Sequence, residues 1–338
     1  MTRNRKGPLL LTRREAVALA GGGLASLVVA QAGAQPAYPA RPIRLIVPYP
    51  AGGTTDLLGR LVADQLKSGL GATVVVENKP GAGTTLGAEQ VARSEPDGYT
   101  LLMATSTTLA INKTLYKKLP YDPVKDFTPV ALVAGVPFAL IVNPALPVKT
   151  LAGFIAYAKA NPGLAYGSAG AGSPQHLGAE MLRTAAAIDI RHVPYRGSVP
   201  AMLDIIAGHI PFMVVDLQPA LQQIREGKVR VLGVTTLQRV TAAPDIPTLA
   251  EAGLPGFELV AWQGVVGPGG MPRPIIDQLA AQIANLTADP ATRAKLTALS
   301  LEPLTGSTPD SFAAFVKSEV ERWAVVVRAS GAEADQVR

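Results

Sequence analysis

A chain of 338 residues with 48% apolar content is long enough for two hydrophobic cores. It contains no cysteine, which excludes disulfides, thiolate metal sites, a cysteine nucleophile and a lipid-modified cysteine. The formal net charge is +6, but five of the 31 basic residues and one of the 25 acidic residues fall within 1–34. The remainder therefore carries 26 and 24, a net of +2 that leaves no basic patch and no nucleic-acid partner to expect.

The cationic start reads as an export signal. Arg3, Arg5, Lys6, Arg13 and Arg14 precede a weakly apolar run over 16–30, and Ala32-Gly33-Ala34 supplies a small-residue cleavage site. The run is too short, and with Gly21-Gly22-Gly23 too glycine-rich, to span a membrane. The expectation is a signal peptide over 1–34, cleaved after Ala34, that leaves a periplasmic protein without a covalent tether. Thr12-Arg13-Arg14 fits the twin-arginine route, while the small Ala16 and Val17 fit the general one.

Beyond residue 40, short apolar runs alternate with helical patterns. Ile43, Leu45 and Val47 alternate as a strand does, and Leu57, Leu58, Leu61, Val62 and Leu66 then recur at helical spacing, predicting a helix over 54–68. Strand 72–76, helix 85–93, strand 99–104 and a polar turn at 105–108 follow. The proline-rich, charged stretch 119–129 reads as a loop. Strand 138–142, helix 150–160, strand 165–168, helix 174–187, strand 190–193, helix 198–207, strand 212–215, helix 218–226 and strand 230–235 continue the rhythm of a parallel α/β protein. Residues 262–270 read as strand and loop. Ile275, Ile276, Leu279, Ile283 and Leu286 form one helical face, and Phe312, Phe315, Val316, Val320, Trp323 and Val327 another, behind a cap at Ser307-Thr308-Pro309-Asp310. Two long helices with so few strands are expected to pack back on the first domain, making it discontinuous. A loose echo between 99–106 and 229–236, each an apolar strand ending in hydroxyl residues, points to two similar halves.

The loops between these elements carry the functional signal. Between the first strand and helix, Pro50-Ala51-Gly52-Gly53-Thr54-Thr55-Asp56 places free helix N–H groups over a turn poor in side chains, a place for an anion. It has no His, Cys or Lys, and so is suited to holding a carboxylate or phosphate rather than attacking one. Gly81-Ala82-Gly83-Thr84-Thr85-Leu86-Gly87 has one residue too many for a dinucleotide fingerprint, and Met103-Ala104-Thr105-Ser106 offers no acid for a ribose. A second carboxylate loop and a simple turn remain. Tyr166-Gly167-Ser168-Ala169-Gly170-Ala171-Gly172-Ser173 lacks the glycine spacing of a hydrolase elbow, and His176, His192 and His209 are the only histidines for a triad. His176 is expected to cap or pack on its helix. Arg196 suits bidentate carboxylate pairing or is an ordinary turn arginine. Asp216, at the end of an apolar strand, either accepts from a ligand N–H or O–H or caps the next helix. No acidic or histidine cluster has metal spacing, and no close carboxylate pair suggests glycosidase chemistry.

In order and spacing, Tyr38-Pro39-Ala40-Arg41-Pro42-Ile43, Pro48-Tyr49-Pro50-Ala51-Gly52-Gly53-Thr54-Thr55-Asp56, Glu77-Asn78-Lys79-Pro80-Gly81-Ala82-Gly83, Pro96-Asp97-Gly98-Tyr99-Thr100-Leu101-Leu102, Tyr166-Gly167-Ser168-Ala169-Gly170, His192-Val193-Pro194-Tyr195-Arg196-Gly197 and 245–256 resemble the Bug-type extracytoplasmic solute receptors. These are the periplasmic binding subunits of tripartite tricarboxylate transporters. The resemblance implies a two-domain Venus-flytrap α/β fold, each domain a mainly parallel sheet flanked by helices, divided as 35–138 with 258–338 and 139–257. It implies a carboxylate held by Tyr49, Ala51, Gly52, Gly53 and Thr54 of the first loop, Thr84 and Thr85 of the second, and Ser168, Ala169 and Gly170 of the third. Ser106, Arg196 and Asp216 complete the expected site, Asp216 at the ligand's distal end. Where the family has Gly-Ala-Gly-Gly, this chain has Thr84, which adds a hydroxyl and bulk. Tyr49, Tyr195 and Trp262 are either stacking surfaces for an aromatic ligand or packing residues. No cofactor, metal or catalytic residue is expected. The expected partners of this monomer are a small carboxylate and integral membrane transporter subunits, or a sensor kinase if the receptor signals.

Overall fold

The computed structural model describes residues 38–332; the expected signal peptide over 1–34 lies outside the described residues. From Arg41 onward, strand β1 (Ile43–Val47) leads into helix α1 (Thr54–Leu70), then β2 (Val74–Asn78), α2 (Thr85–Ala92) and β3 (Thr100–Thr105). β1 pairs in parallel with β2 on one side and β3 on the other. α1 is helical because Leu58, Val62 and Leu66 recur on one fully buried face, and Gly71 ends it in the left-handed conformation.

The polar turn expected at 105–108 is instead the start of a π-helical turn, Thr107–Ile111, which runs into the short α3 (Asn112–Leu115). Of the stretch 119–129 expected to be a loop, only 127–129 already belong to a strand. β4 (Phe127–Val142) is 16 residues long, where the sequence marked only its last five. Its buried run carries no period-two signal because both faces are covered. Pro129 is accommodated at a register shift against β9 (Val260–Pro268).

β4 belongs to two sheets. Its first part pairs antiparallel with β9 as far as Pro137 opposite Val260, and β9 pairs with β3. From Phe138 its partners change to β7 (Phe212–Asp216) on one side and β8 (Arg230–Val234) on the other, both antiparallel. In this second sheet β5 (Leu164–Ser168) lies between β6 (Ile190–Pro194) and β7, parallel to both. Each sheet thus has a parallel triplet followed by an antiparallel strand, β2-β1-β3-β9 in one and β6-β5-β7-β4 in the other. The counterpart of β3 is therefore β7; the echo of 99–106 in 229–236 paired it with β8, which lies on the other side of β4.

α4 (Leu151–Ala160), α5 (Pro174–Ala186), α6 (Ser198–Ala207) and α7 (Leu217–Arg225) cover the second sheet. Ala139, Ile141, Ile205, Met213, Val215 and Leu217 form its buried core. The chain then returns to the first sheet through β9. α8 (Arg273–Ala288) packs on α1 and β4. α9 (Pro290–Ala298) and β10 (Glu302–Pro303), which pairs with β4, had no counterpart in the sequence reading. α10 (Pro309–Ser330) starts with a Thr308/Ser311 capping box and ends at the left-handed Gly331. It touches β4 as expected, and also reaches α5 of the second sheet.

The crossing is secured by one buried hydroxyl. Thr235 Oγ1 accepts from the Phe138 N–H (3.1 Å) and donates to the Leu259 carbonyl (2.6 Å). The Thr235 N–H donates to the Phe138 carbonyl and the Leu259 N–H to the Thr235 carbonyl, both at 2.9 Å. Thr235→Val removes the hydroxyl at constant shape and leaves two buried backbone groups without that partner. The expected outcome is a loss of roughly 1–3 kcal/mol, read as a lower urea midpoint; an unchanged midpoint would remove the hydroxyl from the account of the crossing.

Candidate functional site

Segments from both sheets converge on one cavity of about 260 Å³. Its lining follows the C-terminal ends of the parallel strands, where α/β sheets place ligands. Tyr49, Pro50, Ala51, Gly53, Thr54 and Thr55 come from the turn after β1, and Thr105, Ser106 and Thr107 from the end of β3. Pro174 and Gln175 open α5, Arg196 to Pro200 lead into α6, and Asp216 ends β7. The floor is Val136 and Phe138 of β4 with Ala261, Trp262 and Gln263 of β9.

Three helices begin at this cavity without a side-chain cap, α7 directly after Asp216 and the other two after glycines. α1 starts after Gly53 and α6 after Gly197, and neither receives a capping hydrogen bond. Their first-turn N–H groups are unspent and carry the positive end of the helix dipole. Gly197 has φ +123, and a Cβ there would stand 3.6 Å from Pro50 Cγ, so the two turns meet closely across the cleft.

The rest of the first turn is held from behind. Asp56 Oδ2 accepts from the Gly52 N–H (3.0 Å) and Oδ1 from Asn78 Nδ2 (3.0 Å), and Asn78 also donates to the Tyr49 carbonyl. Hydrogen bonds from Arg60, Gly52 and Asn78 outweigh burial and lower the Asp56 carboxyl below its ordinary range. The Gly52 N–H is therefore spent inside the turn, and Gly52 does not line the cavity.

Asp216 spans the cleft. Its Oδ1 accepts from Gln175 Nε2 at 2.6 Å and its Oδ2 from the Thr54 hydroxyl at 3.1 Å, joining α5 and α1. Its side chain does not cap α7. Burial pushes its pKa up to about 6, against the lowering effect of the Thr54 and Gln175 bonds. The other titratable groups in the lining are Tyr49, pushed up to about 12 by burial, and Arg196. The Arg196 guanidinium is exposed at the cavity and has no hydrogen-bond or ion-pair partner among the described residues.

Of the residues expected from the sequence, Tyr49, Ala51, Gly53, Thr54, Ser106, Arg196 and Asp216 meet in this lining, whereas Thr84, Thr85, Ser168, Ala169 and Gly170 lie outside it. The turn at 81–87 follows β2, the outermost strand of its sheet. Thr84 does not present its hydroxyl to the cleft: it is buried, at φ +78, and accepts from Thr108 (3.1 Å) and Asn112 (3.3 Å). Thr85 donates to the Ala82 carbonyl. The third turn satisfies itself. The Gly170 N–H donates to Ser168 Oγ, the Gly172 N–H to His176 Nδ1 and the Ser173 N–H to the Gly170 carbonyl. Ser168 lies 2.5 Å from His192 Nε2 beneath that turn, fully buried. His176 packs at the start of its helix as expected and stacks on His192 at 4.0 Å; burial lowers both to about 4.

Trp262 walls the cavity while its Nε1 donates to the buried Glu319, which also accepts from Trp323. Tyr195 is not in the lining; its hydroxyl donates to Asp204. Gln175, Ser198 and Gln263 were missed. A polar residue inside the apolar run Ala261–Val266 was the signal for Gln263, and Gly197-Ser198 repeats the strand–glycine–hydroxyl–helix pattern of the first turn.

Asp216 makes stability depend on pH. Its folded value of about 6 lies above the ordinary value of 3.8. Its contribution is fully favourable below the unfolded value and is lost as pH rises through about 6, at most about 3 kcal/mol. Asp216→Asn keeps a partner for both Gln175 and Thr54 and removes the charge. The variant is expected to melt higher than the wild type near pH 7.5 and to converge with it near pH 4. A difference that does not vary with pH would refute the assignment.

The model of the tripartite tricarboxylate transporter family receptor matches residues 58–332. Protein BugT of Bordetella pertussis is 39% identical over 300 residues, 88% of this chain and 91% of that protein. An R. palustris protein solved with adipate superimposes with a TM-score of 0.85 at 36% identity, covering 88% of this chain and 100% of that one. MatC from Rhodopseudomonas palustris, solved with bound malate, gives 0.81 at 35%, covering 86% and 100%. With this fold, this site and these relatives, the chain belongs to the tripartite tricarboxylate transporter receptor family.

Proposed function

We propose that this receptor binds a small carboxylate in the cavity between its two sheets and presents it, after export, to membrane transporter subunits. The observation that carries the proposal is the pair of uncapped helix N-termini, α1 and α6, that open on one cavity together with an unpaired arginine. A carboxylate satisfies several such donors at once, each charge-assisted bond contributing about 1.5–3 kcal/mol. Adipate and malate, found in the two R. palustris structures, are both small carboxylates and support this class.

The transfer of β4 between Pro137 and Phe138, matched by the return at Leu259 and Val260, supports domains at 35–138 with 258–338 and at 139–257. Closure about these two crossings brings the α1 and α6 turns onto the ligand, which shifts the open–closed population by its differential affinity. Residues 1–34 serve as a cleaved export signal, placing the monomeric receptor in the periplasm. Binding without turnover is supported by the lining, whose titratable groups are Tyr49, Arg196 and Asp216; the buried Ser168 and its half-buried partner His192 lie outside it.

Calorimetric titration with mono-, di- and tricarboxylates tests the proposal. At least one is expected to bind with heat and a thermal shift, and Arg196→Gln is expected to weaken it about 10- to 100-fold, one charge-assisted contact. Absence of heat and thermal shift with every carboxylate would overturn it.

A further inference from the structure

The glycine turns at 81–87 and 168–173 lie outside the cavity lining, and one side chain joins them. The first of the two holds α3. Asn112 Nδ2 donates to the Gly83 carbonyl (2.9 Å) and to Thr84 Oγ1 (3.3 Å), and Tyr116 Oη donates to the Ala82 carbonyl (2.8 Å). Thr108 Oγ1, in the π-helical turn ahead of α3, also donates to Thr84 Oγ1 (3.1 Å). The hydroxyl that Thr84 adds to this turn therefore fixes the segment from Thr107 to Leu115. That segment begins in the cavity lining and ends at a leucine that is 1% exposed. Leu115 lies against Gly172. A Cβ at Gly172 would overlap Leu115 Cδ2 and stand 3.1 Å from its Cγ, so the leucine fills the space that any side chain at 172 would need. Gly172 has φ +71, and its N–H donates to His176 Nδ1 (3.0 Å), which fixes this bare position at the start of α5.

Knob and socket sit on different sides of the proposed division, Leu115 within 35–138 and Gly172 within 139–257. Building on the two-domain reading above, we infer that Leu115 seated on Gly172 is a clasp between the domains, and that it sets the balance of open and closed receptor without touching the ligand. The argument is steric. Packed interfaces have little tolerance, and a leucine in a glycine-sized gap is a fit that rotation about the two crossings breaks. The contact is made entirely by the protein, so it favours the closed form whatever the cavity holds. Apparent affinity scales with the share of receptor in the form that binds. The clasp therefore changes the affinity for every ligand by one common factor, whereas a lining residue such as Arg196 changes it according to the ligand's own groups.

The test needs no ligand. The chain has no cysteine, so spin labels go onto Lys67→Cys near the end of α1 and Lys228→Cys beyond α7, both exposed positions. Pulsed dipolar spectroscopy then reads the closed share, the population whose label distance matches this structure. Gly172→Ala is expected to lower the closed-to-open ratio about tenfold by overfilling the socket. Leu115→Ala, which withdraws the knob, is expected to lower it too, and it decides alone if Gly172→Ala does not fold. The double variant, in which the new methyl takes room the leucine has left, is expected to lie nearer the wild type than Gly172→Ala. Gly163→Ala is the control for backbone strain: it has φ +78 with nothing within 4 Å of a Cβ, and is expected to leave the ratio unchanged. Two populations that neither Leu115→Ala nor Gly172→Ala shifts overturn the clasp. An equal shift with Gly163→Ala, or a double variant no nearer the wild type, overturns it as well. One unvarying distance in every protein overturns the closing motion itself, and the carboxylate titration above succeeds or fails independently of all these outcomes.

Discussion

β4 has to satisfy two sheets with one backbone. Up to Pro137 its partner is β9, and from Phe138 its partners are β7 and β8. Proline has no N–H to give, so the residue at the exchange of partners is one that costs no ladder bond there. The consequences spread outward. Asp216 is brought opposite Phe138 because β7 pairs at that point, and Trp262 and Gln263 lie on the strand that pairs β4 just before it. The cavity floor and the crossing are the same few residues. Anything that bends the crossing moves the floor.

Polar bookkeeping distinguishes turns that look alike in sequence. Three glycine-rich turns each join a strand to a helix, and by composition each is fit to receive an anion. In 168–173 the side chains of Ser168 and His176 and the Gly170 carbonyl consume the N–H groups, and Ser173 caps α5. In 81–87 the hydroxyls of Thr84 and Thr85 are tied to neighbours. The turn before α1 has its own restraint in Asp56, but that restraint takes the Gly52 N–H and leaves the first helical turn open. The turn before α6 is open as well. Donor capacity left over, rather than glycine content, marks the two glycine turns that open on the cavity.

Much of this was legible in the residues. The alternation of short strands and amphipathic helices gave the parallel triplets, and helix boundaries followed capping residues such as Thr308 and left-handed glycines such as Gly71. The length of β4 was not legible, since a strand covered on both faces reads as an unbroken apolar run and Pro129 argued against it. In the cavity lining, Tyr49, Thr54 and Arg196 stand at strand ends next to glycine turns and Asp216 ends an apolar strand, so local pattern marks all four. Gln175 follows Pro174 in what reads as an ordinary helix start, and only its contact with Asp216, 41 residues on, distinguishes it. Non-local pairings of this kind leave no mark on local periodicity. The same holds for Thr54 and Asp216, 162 residues apart.

Glu319 receives the indole N–H of both tryptophans, the only two in the chain. The protein's indole emission therefore originates beside a single carboxyl group, and one of the two rings is part of the cavity wall. Occupancy of the cavity changes the surroundings of one emitter directly and of the other through their common hydrogen-bond acceptor. The receptor carries its own optical gauge of filling, with no label to attach.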